Sequence, residues 1–128
     1  MGTRGIPANH GGFETCLENL APFLASKNFD VHVFRQIERV GEIQSYYKGV
    51  RLINICIKQR GTLGTILFDI KSTMYVLRKF NKDDLIISFG YPTAFLFLLL
   101  RLFGFYNIVN MDGIEWKRSQ FGIIGKIW

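Results

Sequence analysis

The sequence is poor in the residues that staple, ligate or gate a small protein. It holds two cysteines, Cys16 and Cys56, and three prolines in 128 residues. The cysteines lack the paired spacing of a zinc site and no secretory signal pattern precedes them, so both are expected to be reduced and buried in a cytoplasmic protein. His10 and His32 form no cluster with acids at ligand spacing, and no metal is expected. A long apolar run is missing as well. The charge-free stretch "LIISFGYPTAFLFLLL" covers 16 residues, is interrupted by Gly90 and Pro92, and ends at Arg101. A spanning helix needs about 20 apolar residues in a row, so this stretch does not cross a membrane. No Gly-Lys-Ser/Thr follows the N-terminal glycines, no G-x-G-x-x-G is present, and no strand–GxSxG–helix element exists. These absences set aside the P-loop, the dinucleotide fingerprint and a serine hydrolase. There is no internal repeat and no low-complexity segment.

What remains is a chain with ample material for a core: 48% hydrophobic and 15% aromatic residues. That excludes disorder. The length fits one domain, or one half of a larger protein. Sixteen Lys and Arg against ten acids give a formal charge of +6. A basic surface favours nucleic acid, anionic lipid or phosphorylated ligands. Its spread along the whole chain, without a cluster, argues against nucleic acid.

Apolar spacing sets out the elements. Phe13, Leu17, Leu20 and Leu24 mark one face of a helix ending near Lys27. "DVHVF" at Asp30–Phe34 and "GVRLINIC" from Gly49 read as strands, the second entered through the turn-like "YYKG". Leu63, Ile66, Leu67, Ile70, Met74 and Leu77 predict the inner face of a long helix, leaving Asp69, Lys71, Arg78 and Lys79 for its wet side. "DLIISFG" is a buried-type strand, Pro92 suits the first turn of the next helix, and Gly104 ends that helix. "NIVNM" is a further strand, and a last helix starts near Trp116. Gly41–Gly49 is the expected mobile loop. Strands alternating with helices imply an α/β fold, a Rossmann-like and mostly parallel sheet with helices on both faces.

In such a sheet, ligands bind beyond the carboxyl ends of the strands. Three loops carry chemistry unusual for connectors: Gly2–Gly12, "FGYPT" at Phe89–Thr93, and "NMDGIEWKR" at Asn110–Arg118. Gly11 and Gly12 stand directly before a helix, where backbone N–H groups can meet an anion. A tight turn explains the same pair. Asp112 and Glu115, three residues apart, can supply a base and an orienting group. Equally, Asp112 can cap the turn while Glu115 and Arg118 pair on a helix.

Taken together, "GTRGIPANHGGFET" and "NMDGIEWKR", with "GVRLI", "FGYP" and "RLFG" between them, resemble the N-terminal domain of family-4 glycosyltransferases of the GT-B fold. The resemblance is to the branch that includes bacterial polysaccharide rhamnosyltransferases. It implies two Rossmann-like domains across a cleft, with this one on the acceptor side and a C-terminal one holding most of the nucleotide-sugar. It implies retaining, metal-independent transfer of a hexosyl group, rhamnosyl from dTDP-rhamnose, to a lipid-linked glycan, with no cofactor. The site residues it implies are Asp112 and Glu115 for catalysis, and Arg4, Gly11, Gly12, Glu14, Tyr91 and Arg118 for substrate binding. The enzyme would be cytoplasmic and peripheral at the inner face of the membrane, touching it through Ala94–Phe105 unless that segment is simply a buried helix. Two departures from the family pattern stand out. An apolar central strand should precede "GTRG", and the chain stops at Trp128 before a donor domain. Residues 1–128 are therefore expected to form a partial domain, inactive and poorly folded alone. The competing reading is a non-catalytic α/β domain that binds an anion or a partner.

Overall fold

The computed structural model describes residues 1–8, 11–38, 44–59, 61–90 and 93–111. Helix α1 spans Gly12–Ser26 and is closed by a left-handed Asn28 (φ 67°), whose N–H reaches the Ala25 carbonyl. Strand β1 follows at His32–Ile37, then the short β2 at Tyr46–Tyr47 and β3 at Val50–Cys56. Helix α2 covers Gly61–Lys79, β4 Leu85–Phe89, α3 Ala94–Leu102 and β5 Tyr106–Asn110.

β1 and β3 pair in parallel from His32↔Arg51 to Ile37↔Cys56, which carries β1 three residues beyond the predicted Phe34. β2 joins β3 antiparallel through a tight turn at Lys48–Gly49, both at positive φ. Part of the expected mobile loop is thus a hairpin, while residues 41–43 lie outside the described residues. β4 and β5 form a second parallel pair. The predicted last helix falls outside the described residues.

Period-two alternation sorts the strand side chains onto two faces. Val33, Val50 and Leu52 meet Ala21 and Leu17 of α1, with Ile6 of the N-terminal segment. Phe34, Ile53, Ile55 and Ile57 meet Phe68 and Val76 of α2, Ile86, and Leu100 of α3. Helices therefore cover both faces, and the fold is the α/β class read from the sequence. The expected single sheet is instead two small ones, ordered β1-β3-β2 and β4-β5.

The N-terminal segment bridges them. The Met1 ammonium donates to the Ile87 carbonyl (2.7 Å), and the Phe89 amide donates to the Met1 carbonyl (2.9 Å), one rung of a parallel ladder. Three residues on, the Gln36 amide donates to the Arg4 carbonyl (3.0 Å). Behind Met1, the space between β1 and β4 is a cavity of about 670 Å³ lined by Leu17, Leu20, Leu24, Val33, Phe34 and Ile86 among others.

Two sequence expectations are corrected. The predicted inner face of α2 is largely outside: Leu63, Leu67 and Met74 are exposed, while Gly64, Phe68, Asp69, Ser72, Thr73 and Val76 are buried. At Gly64 a Cβ would lie 2.2 Å from the carbonyl oxygen of Gln59, in the segment that leads into the helix, so this position has no room for a side chain. Cys16 is exposed and Cys56 half-buried, both as free thiols, since Cys16 lies on the outer side of α1 rather than in the core.

Candidate functional site

At the carboxyl edge of the strands, the N-terminal segment crosses first β4 and then β1. Gly2 and Gly5 make the crossing possible. Both have positive φ (+79° and +95°), and a Cβ would lie 2.0 Å from the Phe89 carbonyl oxygen at Gly2 and 2.7 Å from the Arg35 Cα at Gly5. No L side chain fits either place.

The segment is then stitched to α1 by two carboxylates. Glu14 is buried and accepts the Arg4 amide at 3.1 Å. Glu18 accepts the Ala8 amide at 3.3 Å and the Tyr47 hydroxyl. The Tyr47 hydrogen bond, helped by the Ala8 amide and Lys48, holds Glu18 below the usual carboxylate range against desolvation, which acts the other way. The Phe13 ring lies 5.6 Å from the Phe89 ring, so the start of α1 rests beside the end of β4.

That start is bare. Gly11 is the N-cap in an extended conformation with no side-chain cap, and Gly12 is the first helical residue. The leading amides of any helix lack internal acceptors and carry the positive end of its dipole. A Cβ on Gly11 would come 3.3 Å from Glu14 Oε2, whereas one on Gly12 would meet no atom of the described residues within 4 Å. Neither position carries the positive φ found at Gly2 and Gly5. Among the described residues, packing therefore explains the first two glycines and gives no reason for Gly12.

Beneath the loop lies a carboxylate that the sequence reading placed in water. Asp69 of α2 is 1% exposed and accepts the Thr93 hydroxyl at 2.7 Å. Burial raises its carboxyl above the ordinary range, with the Thr93 bond and the Met1 ammonium opposing. Burial likewise lowers the Met1 ammonium to about 6, partly countered by Asp69. On β4, the Ser88 hydroxyl donates to Asn107 Oδ1 of β5 at 3.1 Å.

Of the sequence-predicted site residues, Arg4, Gly11, Gly12 and Glu14 come together at this edge. Glu14 spends one carboxylate oxygen on the Arg4 amide and so holds the loop. Tyr91, Asp112, Glu115 and Arg118 lie outside the described residues. The strands before them, β4 and β5, end side by side, because Phe89 and Asn110 are register partners and the Gly90 amide donates to the Asn110 carbonyl at 2.9 Å. Arg35, which follows the apolar "VHVF", and Asp69 were missed. Arg35, coming directly after "VHVF", carried a signal that could have found it; Asp69 gave none, because its helix face was read the wrong way round.

Parallel strands flanked by helices define the class, an open α/β protein, a fold in which ligands as a rule bind beyond the carboxyl ends of the strands. Within that class the chain belongs to the family described as a domain of unknown function (DUF1972), which matches residues 1–125. No curated protein and no solved structure matches the chain.

Proposed function

We propose that the chain is the acceptor-side half of a retaining, GT-B-type hexosyltransferase of the rhamnosyltransferase-like branch of family 4. It would work with a nucleotide-sugar, dTDP-rhamnose, and a lipid-linked saccharide acceptor in cell-surface polysaccharide synthesis. The observation that carries this reading is Gly12: a helix start at the carboxyl edge with no side-chain cap, open above its Cα and not required by packing among the described residues. A sugar-diphosphate needs such a close approach to backbone amides. The occurrence of this domain in glycosyltransferase-associated proteins supports the same class of chemistry.

In this reading, Gly11 and Gly12 present amides to the diphosphate and reacting sugar, and Arg4, Tyr91 and Arg118 bind substrate from the surrounding loops. Glu14, assigned to substrate binding in the sequence, acts by fixing the Arg4 loop. Asp112 orients or deprotonates the acceptor hydroxyl, with Glu115 beside it. The exposed side of α3, Phe95, Leu98 and Leu102, supplies an apolar surface for a membrane-borne acceptor.

The test is transfer from dTDP-rhamnose to a lipid-linked acceptor by an enzyme that carries residues 1–128 together with a donor-binding domain. Asp112→Asn keeps shape and removes basicity, and should lower turnover by about 10²–10⁴, the usual worth of a positioned acid–base group. Wild-type protein that transfers from no nucleotide-sugar, while still binding anions, would instead make this a binding domain.

A further inference from the structure

Beside Gly5, under the N-terminal loop, lies a second and smaller cavity of about 180 Å³. It is lined by Arg4, Gly5, Ile6, Pro7, Arg35, Gln36 and Glu38. Among the described residues the lining carries two arginines and one glutamate, and Glu38 has an interaction of its own. The Arg35 Nη1 is sealed from solvent and has no hydrogen-bond partner among the described residues. A buried donor on a charged group, left without a partner, is costly and needs an acceptor. The backbone around it is fixed: Gly5 lies against Arg35 Cα, and the Gln36 amide is held by the Arg4 carbonyl at 3.0 Å. The Arg4 amide is held in turn by Glu14, leaving the Arg4 side chain exposed at the mouth.

We propose that this cavity is an anion site, with Arg35 at its floor and Arg4 at its rim, that takes a phosphate or diphosphate group. Size and charge select the ligand. Pockets for whole drug-sized molecules run from roughly 300 to 1,000 Å³, so this one admits a group rather than a nucleotide. Two arginines against one glutamate leave the lining with a net positive charge, and guanidinium groups offer the forked donors that phosphate oxygens accept. Arg4 is shared with the transferase reading, and Arg35 is new. The site rests on cavity and charge, so it stands or falls independently of glycosyl transfer.

The experiment is a titration of the chain with inorganic pyrophosphate, following backbone amide resonances of Gly5, Arg35 and Gln36, with acetate at matched ionic strength as the comparison. Saturable shifts with pyrophosphate and none with acetate are expected. Arg35→Gln and Arg4→Gln should each weaken binding at least tenfold, in keeping with the loss of a charge-assisted contact. Arg4 is exposed, so its variant decides the matter even if Arg35→Gln fails to fold. Absence of saturation, equal shifts with acetate, or undiminished binding by Arg4→Gln would each overturn the site.

Discussion

Gly2, Gly5, Gly11 and Gly12 sit close together in the chain yet answer to different constraints. The first two have positive φ and lie against strand backbone, and the last has neither property. Their stabilities should therefore separate. Gly5→Ala forces a Cβ to within 2.7 Å of Arg35 Cα at φ +95°. It should cost about 2 kcal/mol or more, since left-handed backbone alone costs an alanine about 1–2 kcal/mol. Gly12→Ala enters open space in a helix and should be neutral or stabilising by up to about 1 kcal/mol. Chemical denaturation of the two variants checks this, and equal destabilisation would contradict it. The density of glycines was legible in the sequence. Which of them the fold requires was not, because that depends on Phe89 and Arg35, which arrive from strands far along the chain.

At the scale of elements, α1 was legible almost to the residue, since its apolar face has one partner surface and a clean period. α2 was legible in extent but not in facing. Its buried side carries Gly64, Asp69, Ser72 and Thr73, small or polar residues that a hydrophobic pattern sends outward. Close helix approach and the Asp69–Thr93 contact outweigh the pattern there. α3 is amphipathic only in its burial: Leu96, Phe97 and Leu100 face the core, while Phe95, Leu98 and Leu102 are 62%, 60% and 76% exposed. No helix among the described residues is long and apolar enough to cross a membrane. An apolar helix face on a chain of charge +6 suits peripheral binding to anionic lipid. Vesicle flotation should show binding to anionic liposomes that falls as salt screens the charge. It should fall further in Leu98→Glu, whose side chain replaces an exposed one and leaves the core alone. Equal binding to neutral and anionic vesicles at low salt would contradict the electrostatic part.

Across the whole molecule, the feature with the largest energetic consequence is the slot between β1 and β4. Met1 forms a single parallel rung beside Ser88, and behind it the facing strands leave about 670 Å³ of largely apolar space. A five-residue valine- and isoleucine-rich segment joined ahead of Met1 should continue that rung as a strand. Each buried branched side chain contributes about 1.5–3 kcal/mol, offset by about 1–2 kcal/mol per residue for backbone ordering. A net gain of a few kcal/mol should raise the melting temperature by on the order of 10 °C. The pH profile should change with it. In the chain whose first residue is Met1, burial lowers the ammonium from 8.0 to about 6. The unfolded chain then binds more protons between those values, so stability rises with pH across that window and the penalty is complete below 6. A two-unit shift is worth roughly 2–3 kcal/mol. The joined segment turns the amine into an amide and should abolish the slope. A Gly/Asp segment of equal length that stabilised just as much would contradict strand formation. The sequence carried the α/β class through its alternation of elements, and the resemblance pointed to the central strand. The way Met1–Arg4 clamp β4 to β1 depends on hydrogen bonds between distant backbones, which no pattern of side chains encodes.

The central claim is that the space above Gly12 is kept for a ligand of the transfer reaction. The most direct measurement is the turnover of Gly12→Val against wild type, in a protein that joins this chain to a donor-binding domain, with donor and acceptor saturating and a melting curve recorded for each protein. The valine fills the open space without touching the core. Displacing a bound reactant by about 1 Å can cost on the order of 10² in rate. A fall of that size at an unchanged melting temperature is the predicted result. Wild-type turnover by the folded variant would contradict the claim and leave Gly12 as an ordinary turn residue.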